Sequence, residues 1–210
     1  MQPKKKTSIR RQEILHAALE TVGENGVSAL TIAAIASRAG MCEANIYRHF
    51  RGKQEILNAI GDFIGEEVMG RAAKVAAGKG RALDKLEAIF FAHTALIGAN
   101  PGLPRFIFSD EILAGEPQLG EAMARRMGTY VRTVGGIIAA GMAAGEFRQE
   151  LAPPQTATTM LGMIQFTVRR WSLSRGAMDL EAEAAALWDN FRRIIAKTEP
   201  ATTVAAGEGG

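Results

Sequence analysis

Residues Thr31–Phe50 read TIAAIASRAGMCEANIYRHF. Thr31 is a favoured N-cap residue, and it opens a short helix to about Ala39 with Ile32, Ile35 and Ala36 on the inner face. Gly40 ends that helix and supplies the positive backbone angle that a sharp turn requires. Cys42 then stands at the cap of a second short helix, about Glu43 to His49, whose inward residues are Ile46 and Phe50. The small side chains Ala33, Ala34, Ala36 and Ala39 let the two helices cross closely. This is the outline of a helix-turn-helix. The outer face of the second helix carries Glu43, Asn45, Arg48 and His49, side chains suited to the donors and acceptors of a DNA major groove. Tyr47, Arg51 and Lys53 have the chemistry to hold phosphates, which position a protein without reading sequence. A helical hairpin with a solvated charged face has the same outline.

Charge supports the first reading. The chain of 210 residues has 25 Lys/Arg and 22 Asp/Glu, a net charge of only +3. Residues 1–57 hold nine Lys/Arg against five Asp/Glu, and the rest of the chain is one positive charge short of balance. All of the surplus therefore lies in the first quarter, as expected of a segment facing a polyanion.

Composition excludes several classes. With 47% hydrophobic and 22% charged residues, the chain is built to fold. The single cysteine, Cys42, cannot form an intramolecular disulfide, so a reducing compartment is expected. The opening MQPKKKTSIRR has no apolar stretch behind it and does not read as a secretory signal. The charge-free run Leu151–Val168 contains Pro153, Pro154, Gln155 and Gln165, and reads as a buried soluble segment. A cytoplasmic, non-membrane protein is expected.

Apolar residues recur at threes and fours almost throughout, so the expected fold class is all-α, with about nine helices. Helix one runs from about Ser8 to Gly23, with Ile14, Leu15, Ala18, Leu19 and Val22 as its stripe. After the helix-turn-helix, a long helix from Gly52-Lys53 to Gly78 or Gly80 carries Ile56, Leu57, Ile60, Phe63, Ile64 and Val68. Further helices are expected at about Arg81–Ala99, Leu103–Ala114, Gln118–Ala144, Pro153–Arg175 and Leu180–Lys197. The Pro153–Arg175 helix is apolar nearly all round. Ala157, Leu161, Ile164, Val168 and Trp171 form one face, and Met160, Met163, Phe166 and Thr167 lie on the other. Such a helix is buried on both sides. Either it is the central core helix of a monomer or its second side meets a symmetry-related copy. The second option assigns Met160, Met163, Thr167, Trp188, Phe191 and Ile195 to a dimer interface.

Chemistry-bearing motifs are sparse. His16, His49 and His93 lie far apart with no Cys/His cluster, so no metal site is expected. Ala76-Ala77-Gly78-Lys79 lacks both the first glycine and the hydroxyl of a phosphate loop. No nucleophile elbow or carboxylate pair supports catalysis, and neither an enzyme activity nor a cofactor is expected.

The segment RRQEILHAALETVGENGVSALTIAAIASRAGMCEANIYRHFRGKQEIL resembles the N-terminal domain of the TetR/AcrR family of transcriptional regulators. The likeness rests on Ile14-Leu15, Ala17-Ala18, Gly26, Leu30-Thr31, Ile35-Ala36, Ala39-Gly40, Ile46-Tyr47, His49-Phe50 and Lys53, in register over about residues 10–57. The resemblance implies a three-helix DNA-binding domain at 1–52 with a basic arm at 1–7. It implies a larger effector-binding and dimerisation domain at 53–197; the small, polar stretch 198–210 that follows is expected to be a disordered tail. It also implies a homodimeric regulator, most often a repressor, released from a palindromic operator by a small hydrophobic effector. Carried over by position, Tyr47 and Lys53 match phosphate-contacting positions, Ala44, Asn45 and Arg48 match recognition-helix positions that reach bases, and Thr31 matches the cap of the helix that crosses the backbone. His93 is the one polar residue on an apolar face. It is either a satisfied core histidine or, given the resemblance, the anchor of an effector pocket lined by Phe90, Phe106, Met123, Met127, Tyr130 and Gln165. The alternative is a helical regulator of the same fold that acts on a protein partner without small-molecule control.

Two departures stand out. The family commonly has Ser or Thr where this chain has Cys42, a weaker acceptor at a helix cap. The thiol is expected to be buried and inert, with oxidation sensing as the other reading. Glu43 is unusual beside a phosphate backbone, and can accept from a cytosine.

Overall fold

A computed structural model describes residues 7–113, 115–175 and 177–197. The expected tail at 198–210 and the basic arm before Thr7 lie outside the described residues. Eleven α-helices follow in chain order: α1 Thr7–Asn25, α2 Ile32–Arg38, α3 Glu43–Tyr47, α4 Lys53–Ile64, α5 Arg71–Ala77, α6 Ala82–Ala99, α7 Gly102–Ile107, α8 Asp110–Leu113, α9 Pro117–Ala143, α10 Pro153–Leu173 and α11 Leu180–Ile195. Among the described residues the only extended pairing is an isolated bridge, Phe147 to Ala196.

Eleven rather than nine helices arise for local reasons. Between α4 and α5 the chain stays helical but widens into a π-helix over Gly65–Gly70, so one continuous rod runs from Lys53 to Ala77. Arg126 of α9 lies across Gly61 and Gly65 at that point and pairs with Asp62. The segment expected as one helix near 103–114 breaks at Phe108-Ser109. There the Ser109 hydroxyl turns back to the Phe106 carbonyl and accepts the Ile112 amide, starting α8.

The helical head forms where the spacing predicted it. Ile14, Ala18, Val22, Leu30, Ile35, Ile46 and Phe50 are buried together, each at 3% exposure or less. Thr31 caps α2 by accepting the Ala34 amide at 3.1 Å. Gly40 adopts φ +61°, a conformation open to glycine at little cost, and turns the chain from α2 into α3.

The head meets the body through α1. Its last turns pack on α7, and there is no room between the backbones: a Cβ on Gly102 would stand 2.0 Å from the Leu19 carbonyl oxygen. Gly23 opposes it, 3.2 Å from the Gly102 nitrogen by the same construction. Arg105 adds a bond to the Glu24 carbonyl at 3.0 Å. In the body, α10 lies against α9, and α11 closes over α6 and α10. Phe90, Trp188 and Phe191 stack as an aromatic core, with Phe91 edge-on to Phe90.

Candidate nucleic-acid interface and ligand-binding body

The recognition helix is held from behind. Arg11 on α1 places its guanidinium 4.0 Å from the centre of the buried Phe50 ring, donates to the His49 carbonyl and reaches Glu55 at 3.4 Å. Glu55 also accepts the Arg51 amide at 2.8 Å, and this bond, followed by Arg11, keeps its carboxyl below the usual carboxylate range. The C-terminal end of α3 and the start of α4 are thus locked into one unit. Arg11 was legible in the sequence only as a charge, because Phe50 and Glu55 lie about forty residues away.

This pairing also sharpens the charge. Arg38 is taken up by Glu20 and Glu24, Arg10 by Glu13 and Arg11 by Glu55. No carboxylate lies within 4 Å of Arg48 or Lys53 among the described residues. Of the basic residues left over in the first 57, Lys4, Lys5 and Lys6 precede the described residues, and Arg48, Arg51 and Lys53 outnumber Glu43 along α3 and the α4 start. Thr31, Ala44, Tyr47 and Arg48 are exposed, and Asn45, His49 and Lys53 are half-buried at the same surface. Tyr47 presents 55% of its area. Lys53 also donates to the Val27 carbonyl at 3.4 Å, which tethers its stem beside the α1–α2 loop. His49 faces inward at Nδ1, which is buried and has no hydrogen-bond partner among the described residues.

Cys42 is exposed, so the expectation of a buried thiol is corrected. It sits at the α3 N-cap in extended backbone, φ −83° and ψ 154°, and its side chain makes no capping bond. Thr31, in the equivalent place on α2, makes one. Cys42→Ser is expected to stabilise the head by about 0.5–1 kcal/mol, read as a higher urea midpoint at unchanged m-value. An unchanged midpoint would mean that the α3 amides find acceptors elsewhere.

Of the expected effector residues, Phe90, Phe106 and Tyr130 are fully buried and Met123 is 9% exposed. His93 joins them, its Nδ1 3.3 Å from the Tyr130 hydroxyl. Gln165 is half-buried, and Met127 reaches the surface at 36% exposure, outside the packed cluster. Burial lowers the His93 imidazole to about 4 and pushes the Tyr130 phenol up. A half-buried histidine kept neutral in the fold stabilises it above its unfolded pKa. That stability drains away as pH falls from about 6.5 toward 4, because only the unfolded chain binds the proton there. The loss is on the order of 1–3 kcal/mol across that window. His93→Leu is expected to flatten this part of the stability–pH curve, and an equally steep curve in the variant would assign the slope to other groups.

The expected dimer residues require correction. Met160, Thr167, Trp188, Phe191 and Ile195 are each exposed by 4% or less within a single chain, so they have almost no surface to offer a second copy. Met163 is half-buried. The large apolar side chains that α10 and α11 do expose are Phe166 at 67%, Leu173 at 71% and Ile194 at 48%. The expected division of α10 into two faces is corrected: Met160 and Thr167 are buried with Ala157, Leu161, Ile164 and Val168, and Phe166 is exposed.

Cavities lie elsewhere in the body. One of about 390 Å³ sits among α5, α6 and α9, with Lys85, Arg132, Thr133 and Glu146 on its wall. Glu146 caps α6 by accepting the Ala82 and Leu83 amides. Two smaller spaces flank α1 beside His16, Leu19 and Asn100. A further one, about 680 Å³, opens between the end of α1, the start of α7 and the end of α10. No described helix is long and apolar enough to cross a membrane.

A three-helix head with an uncompensated basic recognition face, jointed to a larger helical body, defines a helix-turn-helix DNA-binding regulator of the two-domain class. The family model for bacterial regulatory proteins of the tetR family matches residues 14–60, and that for the tetracyclin repressor-like C-terminal domain matches residues 79–195. The chain belongs to the TetR family of DNA-binding transcriptional regulators. It is 27% identical to the fatty acid metabolism regulator protein of Bacillus subtilis over 175 residues, 81% of this chain and 87% of that protein. It is 33% identical to the nucleoid occlusion factor SlmA of Vibrio cholerae over 99 residues, 47% of this chain and 50% of that one. Its fold matches the solved structure of the B. subtilis regulator FadR in complex with stearoyl-CoA, with a TM-score of 0.71, 23% identity and coverage of 86% and 96%.

Proposed function

We propose that this protein is a cytoplasmic homodimeric repressor that holds a palindromic operator and releases it on binding a long-chain acyl-CoA. The observation that carries the DNA reading is the concentration of unpaired positive charge at Arg48 and Lys53, beside exposed Tyr47, on a recognition helix braced by Arg11. In this reading Asn45 and Arg48 reach base edges, while Tyr47, Lys53 and the Thr31 hydroxyl meet phosphates. The domains divide at the start of α4, with the head at 1–52 and the body from 53 to 197. The acyl-CoA reading is supported by likeness along most of the chain to the fatty acid metabolism regulator. An apolar core with one polar pair, His93 and Tyr130, suits an acyl chain with a single anchor.

A gel shift on DNA upstream of the protein's own gene, run across a salt series, tests the DNA reading. Specific binding that weakens steeply with salt is expected. Equal affinity for unrelated duplexes would remove the operator from the account.

The dimer is proposed to form through Phe166, Leu173 and Ile194, the apolar side chains that α10 and α11 leave uncovered. Phe166→Glu with Leu173→Glu is expected to halve the mass in light scattering and to cost operator affinity about 100-fold or more. A double variant that stays dimeric would place the interface on another face.

The second reading, a regulator acting on a protein partner without a small molecule, draws support from the close packing of Phe90, Phe106 and Tyr130. Acyl-CoA titration separates the two, because binding of the thioester excludes the second reading.

A further inference from the structure

The 680 Å³ cleft is walled by Gly23 and Glu24 of α1, Pro101 and Arg105 at the α7 start, and Trp171, Ser172 and Arg175 at the α10 end. Its chemistry differs from that of the apolar core. Trp171 is half-buried and offers an aromatic wall. Arg105 and Arg175 have no carboxylate within 4 Å among the described residues. The cleft's own acid, Glu24, is already paired with Arg38. The cleft therefore carries about two uncompensated positive charges beside an indole. Arg175 is also the one described non-glycine residue with a positive φ, 53°. It is the left-handed residue that ends α10, just past the Ser174 cap.

The cleft shares α7 and α10 with the expected effector residues Phe106 and Gln165. On α7, Arg105 looks into the cleft and its neighbour Phe106 is fully buried. On α10, Trp171 lies six residues beyond Gln165, about 9 Å along the axis. A ligand entering between α7 and α10 thus meets an apolar interior at one end and an indole with two guanidiniums at the other.

We propose that this cleft binds the phosphate-bearing nucleotide head of the acyl-CoA, with adenine against Trp171 and phosphates on Arg105 and Arg175. This inference rests on the acyl-CoA reading above. It also supplies a link to the head. Arg105 donates to the Glu24 carbonyl at the end of α1, and a phosphate competes for the same guanidinium. Occupancy of the cleft then loosens α1 from α7 and moves the recognition helix.

The test uses the two tryptophans, Trp171 in the cleft and Trp188 in the aromatic core. The full-length protein is titrated with palmitoyl-CoA, coenzyme A and palmitate, following tryptophan emission and heat. Both coenzyme A compounds are expected to quench emission and palmitate is not, and Trp171→Phe removes the quench. Arg105→Gln with Arg175→Gln is expected to weaken palmitoyl-CoA at least 10-fold while leaving palmitate unchanged. Arg132→Gln, in the far cavity, leaves both unchanged. Unaltered palmitoyl-CoA affinity in the double arginine variant, or a loss in Arg132→Gln instead, overturns the cleft but leaves the acyl-CoA reading standing. If coenzyme A quenches Trp171 and palmitoyl-CoA binds no better, the cleft stands and the acyl effector falls. If neither coenzyme A compound binds, both fall.

Discussion

Alanine at Gly102 is expected to be the most damaging small substitution in the chain. Its methyl would have to occupy a point 2.0 Å from the Leu19 carbonyl oxygen and 2.8 Å from the Leu19 carbonyl carbon. Both obstacles are backbone in the middle of α1, so no rotamer relieves them, and the helices must separate. The cost is about 3 kcal/mol or more, at the upper end for overpacking. Gly23→Ala meets the Gly102 nitrogen only at 3.2 Å and is expected to cost about 1 kcal/mol. Urea unfolding of the three proteins checks this order. Gly102→Ala is also expected to bind operator weakly even without ligand, because parting α1 from α7 is the displacement that occupancy of the cleft produces. A Gly102→Ala protein with wild-type stability and wild-type release would mean that the head and body communicate along α4 alone.

The second large effect is expected at Lys53. In a dimer each substitution removes two phosphate contacts, each worth about 1–1.5 kcal/mol as a charge-assisted bond. Lys53→Ala should therefore weaken operator binding by about 2–3 kcal/mol, roughly 30- to 150-fold. The slope of log K against log salt should fall by about 1.8, and the loss should be equal on specific and random duplexes. Asn45→Ala should behave differently, keeping the slope and relaxing preference at particular base pairs. A Lys53→Ala protein with an unchanged salt slope would take Lys53 off the phosphate backbone.

Local signals made the head readable in advance. The Thr31 cap, the positive φ of Gly40 and the inward set of Ile35, Ile46 and Phe50 are all decided within a few residues of chain. Everything that depends on the meeting of distant segments was less legible. Period alone did not tell that Met160 and Thr167 would be buried within the chain and Phe166 and Leu173 left bare. Nor could it show that Arg11 braces the recognition helix, or that Gly23 and Gly102 close a joint between head and body. The Trp171 cleft draws on three helices, and no spacing in the sequence announces it. Residue type suggests burial for Cys42, because cysteine is usually buried, whereas its cap position at a tight turn faces solvent.

The most direct test of the account is fluorescence anisotropy of a labelled duplex from upstream of the protein's own gene, at about physiological salt. The duplex is titrated first with the protein and then with palmitoyl-CoA. The account predicts sequence-preferring binding by two protomers per site, reversed by palmitoyl-CoA, not by palmitate, and only at higher concentration by coenzyme A alone. A complex with no preference over random DNA, or one that palmitoyl-CoA leaves intact, would contradict it.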